Sequence, residues 1–338
     1  MEQISKYNVI SSDILGKGTY GICCFGLDKK SKKPCAIKFS SKEQFNEELK
    51  NESLILKKLS DLEFLPKLYD IEESGETNSY IVEDIIGPSL RKIYDFCEKK
   101  IDIKTLCNIG IDLLSCLNAI HQKKIFHRDI RLNNICWNIL NNNRLYPDII
   151  LIDYGLSALE EDSNQEEYPG NYEYMTVDVL EGGVLMKKHE ILNVLIILLY
   201  MYKGFLPWIK NYNDKCNEKD EIIKIKKNFD FFSQVPDEIK EIAEIYKLVD
   251  NLEINAEVQY FEYQKILINL MKKQKNDGND DDFRFCWEKK ILLLYQEAEQ
   301  LKNPQRIKEK IYEGLFKGYP KEFIEYALYS KYCFDKNL

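Results

Sequence analysis

The chain has 338 residues, 44% hydrophobic and 31% charged, an ordinary globular balance that allows one large or two medium domains. Its formal net charge of −8 argues against a broad basic surface, so no direct nucleic-acid binding is expected. The longest apolar stretch, 191–202, contains Asn193 and is shorter than the roughly 20 residues of a bilayer span, so no membrane span is expected either. The opening residues show no signal-peptide core. Ten cysteines lie at irregular spacings with no CxxC pair, which points to free thiols in a reducing compartment, the cytoplasm or nucleus.

In chain order, residues 9–15 and 22–27 are β-prone runs flanking a glycine-rich turn, and 35–39 is a third, after a turn at 30–34. From 42 to 60 the period becomes helical: Phe45, Leu49, Leu56 and Leu59 form one stripe, with Glu52 in its middle. Residues 80–86 make a last strand, stopped by Gly87-Pro88. Beyond it, 90–98, 103–122 and 189–203 are helical windows, and 149–153 is an apolar run of strand length. Residues 272–282 read as a polar loop, and 288 onward is helical and Lys-rich. Pro236 and Pro320 open two loosely similar stretches, either two Pro-started amphipathic helices or a partial duplication. Strands followed by helices predict an α+β fold of two lobes with a cleft between them, at 1–86 and 87–287, and a helical extension at 288–338.

Several motifs carry chemistry. Gly16-Lys-Gly18-Thr-Tyr-Gly21 lies between two strands, where backbone amides can face phosphate oxygens. Alone, such a pattern is more commonly a glycine-rich hairpin. The β-prone residues after Gly21 argue against a dinucleotide fold, which needs a helix there. Lys38 ends the strand Cys35-Ala-Ile-Lys38. A carboxylate on an apolar helix face is costly unless paired, so Glu52 is a partner for Lys38. In His127-Arg-Asp129-Ile-Arg131-Leu-Asn-Asn134, an Asp can accept a hydroxyl proton, an Asn can ligand magnesium, and a cation lies between them. Asp153-Tyr-Gly155 closes an apolar strand, where an acid can hold magnesium; by itself it is more often a turn.

Taken in this order and spacing, the five motifs resemble the eukaryotic protein kinases. Ile86-Gly-Pro-Ser-Leu90 followed by Tyr94-Asp-Phe-Cys97, Asn51-Glu-Ser53, Phe205-Leu-Pro-Trp208 and Arg284-Phe-Cys-Trp287 are similar to the casein kinase I family within it. The resemblance spans about residues 8–287. It implies a bilobal fold with a β-rich N-lobe and a helical C-lobe, and a monomer that transfers phosphate from ATP, with Mg2+, to Ser or Thr hydroxyls of protein substrates. It also implies that Gly16, Gly18 and Gly21 cover the phosphates, that Lys38 and Glu52 form the ion pair that positions them, and that Ile86 offers backbone groups to adenine. Asp129 would be the catalytic base, with Asn134 and Asp153 on the metal. Arg131 would face the transferred group, and Arg128 would pair with an activation-segment phosphate.

The sequence also departs from that family. Arg131 stands where lysine is usual, a planar fork for a point charge. Tyr154 replaces the usual Phe. Glu83 falls at the gatekeeper position, where it can compete for Lys38 or point elsewhere, and Glu190 falls where a helix Asp braces the catalytic loop. Between Leu156 and Gly182 there are eight acids and no Lys or Arg, with Glu173 where arginine is expected. That sign disfavours acidic substrates. The same segment carries Ser157, Ser163, Tyr168 and Thr176 as candidate phosphosites. A pseudokinase or interaction module is the alternative reading, and a small-molecule kinase a more remote one.

Overall fold

The computed structural model describes residues 4, 6–17, 21–40, 43–72, 79–141, 143, 145–162, 168–209, 219–253, 256–274, 285–300, 309 and 311–332. Gly18 and Ser163, and most of the 272–282 loop, therefore lie outside the described residues. The chain forms two compact units that do not coincide with consecutive segments of the sequence. One gathers Met1–Ile93, Cys136–Ser157 and Ile291–Leu338, and the other Tyr94–Ile135 and Ala158–Lys290. The C-terminal residues thus group with the N-terminal sheet, although the sequence suggested a separate extension.

The first unit is built on strands β1 (Tyr7–Lys17), β2 (Ile22–Asp28), β3 (Pro34–Phe39), β4 (Leu68–Glu72) and β5 (Tyr80–Glu83). They form an antiparallel sheet in the order β1-β2-β3-β5-β4. The β2–β3 turn closes on the Asp28 carboxylate, which accepts from the N–H groups of Lys30 and Ser31, the local bond that favours Asp in turns. Strand alternation sorts the side chains. Cys35, Ile37, Tyr80 and Val82 point to one face and pack with Ile4 and Tyr7. The opposite face carries Cys23, Ala36, Lys38, Ile81 and Glu83, because Cys23 pairs with Lys38, Lys38 with Ile81, and Ala36 with Glu83. Helix α1 (Glu43–Lys58) buries Glu52, Ile55 and Leu56.

The second unit is helical. The chain passes into it within helix α2 (Leu90–Phe96), at Tyr94, and continues to α3 (Ile103–Gln122), whose first turn is capped by Asp102 accepting from the Thr105 N–H at 2.6 Å. α3 is long and apolar enough to cross a membrane by length and composition, but 67% of its apolar window is buried. After the short helix α4 (Val177–Leu180) comes α5 (Lys187–Lys203), and α3 packs on α5 and on the helix Tyr260–Lys273. That burial explains its composition as the core helix of its unit. The short strands Ile125–Phe126 and Ala158–Leu159 pair beside it.

The α+β class read from the sequence is the one observed. The expected strands and long helices are present within a few residues, as in 7–17 for 9–15 and 187–203 for 189–203. β4 was not anticipated: its sequence LYDIE alternates weakly, and Tyr69 is exposed. The stretches after Pro236 and Pro320 both become helical, as a 3-10 turn leading into Lys240–Asp250 and as the helix Lys321–Tyr332.

Candidate active site

In the first unit, β3 and α1 bring Lys38 and Glu52 together, Nζ to Oε1, at 2.5 Å. Glu52 also accepts from the Tyr154 N–H at 3.1 Å, and Asn51, its neighbour on α1, donates to the carbonyls of Gly155 and Ser157 at 2.9 and 2.8 Å. The helix therefore grips the Asp153-Tyr-Gly turn as well as the lysine. The sheet register predicts a further contact. Ala36 opposes Glu83, so Lys38, two residues along β3, lies diagonally across from that acid on the same face. Glu83 reaches Lys38 at 3.2 Å, and Asp153 lies 3.6 Å from it. The gatekeeper-position acid does compete for the lysine.

One ammonium thus serves three carboxylates, and the protonation balance reflects it. Burial favours the neutral form of Lys38, but Glu52, Glu83 and Asp153 outweigh it and hold its pKa well above 10.5. Burial raises Glu52 to about 8 despite Lys38, and Glu83 is raised for the same reason. Asp153 keeps 44% of its side chain exposed, at a residue with φ of +69°. A left-handed Asp costs about 1–2 kcal/mol, held here by the turn that α1 grips.

In the second unit, Asn134 donates through Nδ2 to the carbonyl of Asp129 at 3.0 Å and to its carboxylate at 2.6 Å. The Asn134 N–H bonds the carbonyl of Arg131, whose side chain is half-buried. His127 is fully buried, and its Nδ1 accepts from the Asp129 N–H at 3.3 Å. Arg128 has φ of +68°. Its N–H is held at 2.7 Å by Glu190, which lies at the expected bracing position on α5 and is completely buried. The other Glu190 oxygen meets His121 at 2.7 Å, and His121 bonds the Tyr260 hydroxyl. The Tyr168 hydroxyl donates to the Arg128 carbonyl. His121 and Tyr260 were missed from sequence, for no spacing links them to the loop. The chain's scarcity of histidine was the available signal: all three are buried.

The remaining predicted residues are distributed as follows. Gly16 has open space around its Cβ direction, whereas a side chain at Gly21 would collide with the Phe39 carbonyl, so close packing on β3 alone requires glycine there. The Ile86 carbonyl accepts from the Tyr319 hydroxyl at 2.8 Å. Among the described residues of the acidic segment, three acids have cationic or histidine partners: Glu160 with Lys187 at 3.6 Å, Glu181 with Lys227 at 2.5 Å, and Asp178 with His189 at 2.9 Å. Lys226 is buried beneath the segment and donates to the carbonyls of Tyr172 and Met175 at 2.7 and 2.6 Å. Burial lowers its pKa to about 7. Ser157, Tyr168 and Thr176 are all buried, so modification at any of them requires the segment to open.

In the first unit, Asp153 offers a part-exposed carboxylate beside an excess of negative charge, an oxygen donor of the kind a hard divalent cation takes. In the second unit, Asn134 uses its amide nitrogen on Asp129.

Comparison with known proteins agrees with this geometry. Residues 9–274 match the protein kinase domain family. The chain is 27% identical over 287 residues to casein kinase I homolog RAG8 of Kluyveromyces lactis, covering 79% of this chain and 52% of that protein. It is 24% identical over 288 residues to casein kinase I homolog 2 of Schizosaccharomyces pombe, covering 81% and 64%. For casein kinase I homolog 1 of Saccharomyces cerevisiae the identity is 25% over 293 residues, covering 81% and 52%. The chain spans between about half and two-thirds of the length of these relatives. It belongs to the protein kinase domain family, as a divergent member similar to the casein kinase I homologues.

Proposed function

We propose that the chain is a Ser/Thr protein kinase that uses ATP and Mg2+. The observation that carries this reading is the Lys38–Glu52 pair, with Glu52 also fixing the turn that presents Asp153. In this reading Lys38 and the amides around Gly16, Gly18 and Gly21 bind phosphate oxygens, and Ile86 offers backbone groups to the purine. Asp129, oriented by Asn134, accepts the proton of the attacking hydroxyl, and Arg131 faces the transferred group. Asp153 and Asn134 would hold magnesium, whose chemistry is to offset phosphate charge. Positioning and electrostatics supply most of the rate. Incubation with magnesium and labelled ATP tests it: phosphate should appear on Ser or Thr of a protein substrate, and its absence under all substrates tried would reject the activity.

The substrate preference we infer is for neutral or basic peptides. Among the described residues, partners from α5 and from the helix Lys219–Lys227 form ion pairs with three acids of the segment, and the segment itself contains no Lys or Arg. A panel of basic, neutral and acidic peptides measures this, and preference for acidic peptides would reverse it. A second reading, an interaction module with little phosphotransfer, is favoured by Glu83, which occupies Lys38 at 3.2 Å. Normal turnover with unaltered Glu83 would dismiss it. The cysteine pattern fits a protein of the cytoplasm, which fractionation of cells would check.

A further inference from the structure

We propose, resting on the nucleotide-binding reading above, that residues 316–323 are a latch over the hinge edge of the nucleotide site, and that latch and nucleotide exclude each other. The latch lies on the sheet face that carries Lys38. Phe25 pairs with Ala36 as Cys23 pairs with Lys38, so Cys23, Phe25, Ala36 and Lys38 share that face. Phe323, at the start of the helix Lys321–Tyr332, packs edge-on against Phe25 with centroids 5.9 Å apart. Tyr319 stacks on Phe323 at 5.7 Å and donates its hydroxyl to the Ile86 carbonyl. Ile86 is the residue assigned to adenine.

The latch also holds the glycine-rich strand. Gly318 has φ of +93°, and a side chain there would strike the Ile14 carbonyl, two residues before Gly16. The Lys92 ammonium donates to the carbonyls of Leu15 at 3.3 Å and Lys317 at 3.0 Å, and lies 5.4 Å from the Tyr319 ring centroid. One lysine therefore ties β1 to the C-terminal segment. Burial raises the Tyr319 phenol well above its ordinary value. The Tyr319 ring already carries Phe323 and the Lys92 ammonium. It is engaged as a plug and is not a free platform for a purine.

The test compares the whole chain with its Gly318→Val and Tyr319→Ala variants. Neither residue belongs to the proposed catalytic or phosphate-binding set. Affinity for a fluorescent ATP analogue with magnesium is measured, and thermal unfolding checks that each variant is folded. Both variants should bind about tenfold or more tightly than the wild type, since the wild type's apparent affinity is reduced by the fraction latched. In the wild type, saturating nucleotide should also raise backbone hydrogen exchange across 316–323, a readout that needs no variant. Equal or weaker binding by the folded variants, or unchanged exchange on saturation, overturns the latch while the nucleotide site stands. No binding by any of the three proteins overturns both the latch and the kinase reading.

Discussion

Around Lys38, one ammonium faces three carboxylates at 2.5, 3.2 and 3.6 Å, and acid is in excess. Around Asp129, a single buried carboxylate, Glu190, holds the loop through a backbone N–H and a histidine, and each of its oxygens has a partner. The first cluster is charged and underpaired, with acid in excess, which suits a place that must accept a divalent cation. The second is a satisfied scaffold, which suits a loop whose job is to keep a base in position. A charge-rich site responds to pH and ligand, whereas a hydrogen-bonded one responds to the loss of a partner.

The largest expected effect breaks the first cluster. Lys38→Met leaves three acids without their cation. Removing one partner of a buried ion pair costs about 3–5 kcal/mol. Chemical denaturation should show a loss of that order at pH 8 and a smaller one at pH 6, where Glu52 and Glu83 take up protons instead. An equal loss at both would mean that the acids are not coupled to the lysine.

The next effect breaks the second cluster. Glu190→Ala strands the Arg128 N–H and the His121 ring in a buried site, costing about 1–3 kcal/mol for each orphaned group. Glu190→Gln keeps an acceptor for the Arg128 N–H and should lose less. The two variants, compared by thermal unfolding, separate loss of charge from loss of the partner.

The smallest effect sharpens the contrast. Glu52 and Glu83 have folded pKa values raised above the ordinary 4.5, Glu52 to about 8. The folded state therefore keeps protons that the unfolded chain releases. Their contribution to stability is fully present below about 4.5 and is lost as pH rises through about 8. Glu83→Gln removes one acid while keeping the shape, so it should stabilise the protein at pH 8 relative to pH 6 and flatten the stability–pH curve. A steeper curve would contradict the charge excess.

Much of this was legible in the sequence. Glu52 drew attention because a carboxylate in an apolar helix stripe needs a partner, and Lys38 was the cation a strand and turn could deliver. Glu83 was readable only as two alternatives, because its direction depends on strand register, which one-residue slips invert. Glu190 was readable from its place at the start of α5, but its link to Tyr260 was not, since side-chain bonds between distant helices leave no period. The acidic segment was visible as charge, while its partners Lys187 and Lys227 lie on separate helices and could not be assigned. Tyr319 and Ile86 are 233 residues apart in sequence, and nothing local to either announces the other.

Phosphoryl transfer by the proposed catalytic residues can be measured in an Asp129→Asn variant. Magnesium-dependent nucleotide binding and phosphate incorporation into a Ser/Thr substrate are measured together on the wild type and the variant. Nucleotide binding should be equal in the two, and transfer should fall by about 10²–10⁴-fold, the contribution of a positioned general base. Transfer that persists unchanged in Asp129→Asn, or a wild type that binds nucleotide and transfers nothing, would contradict that role.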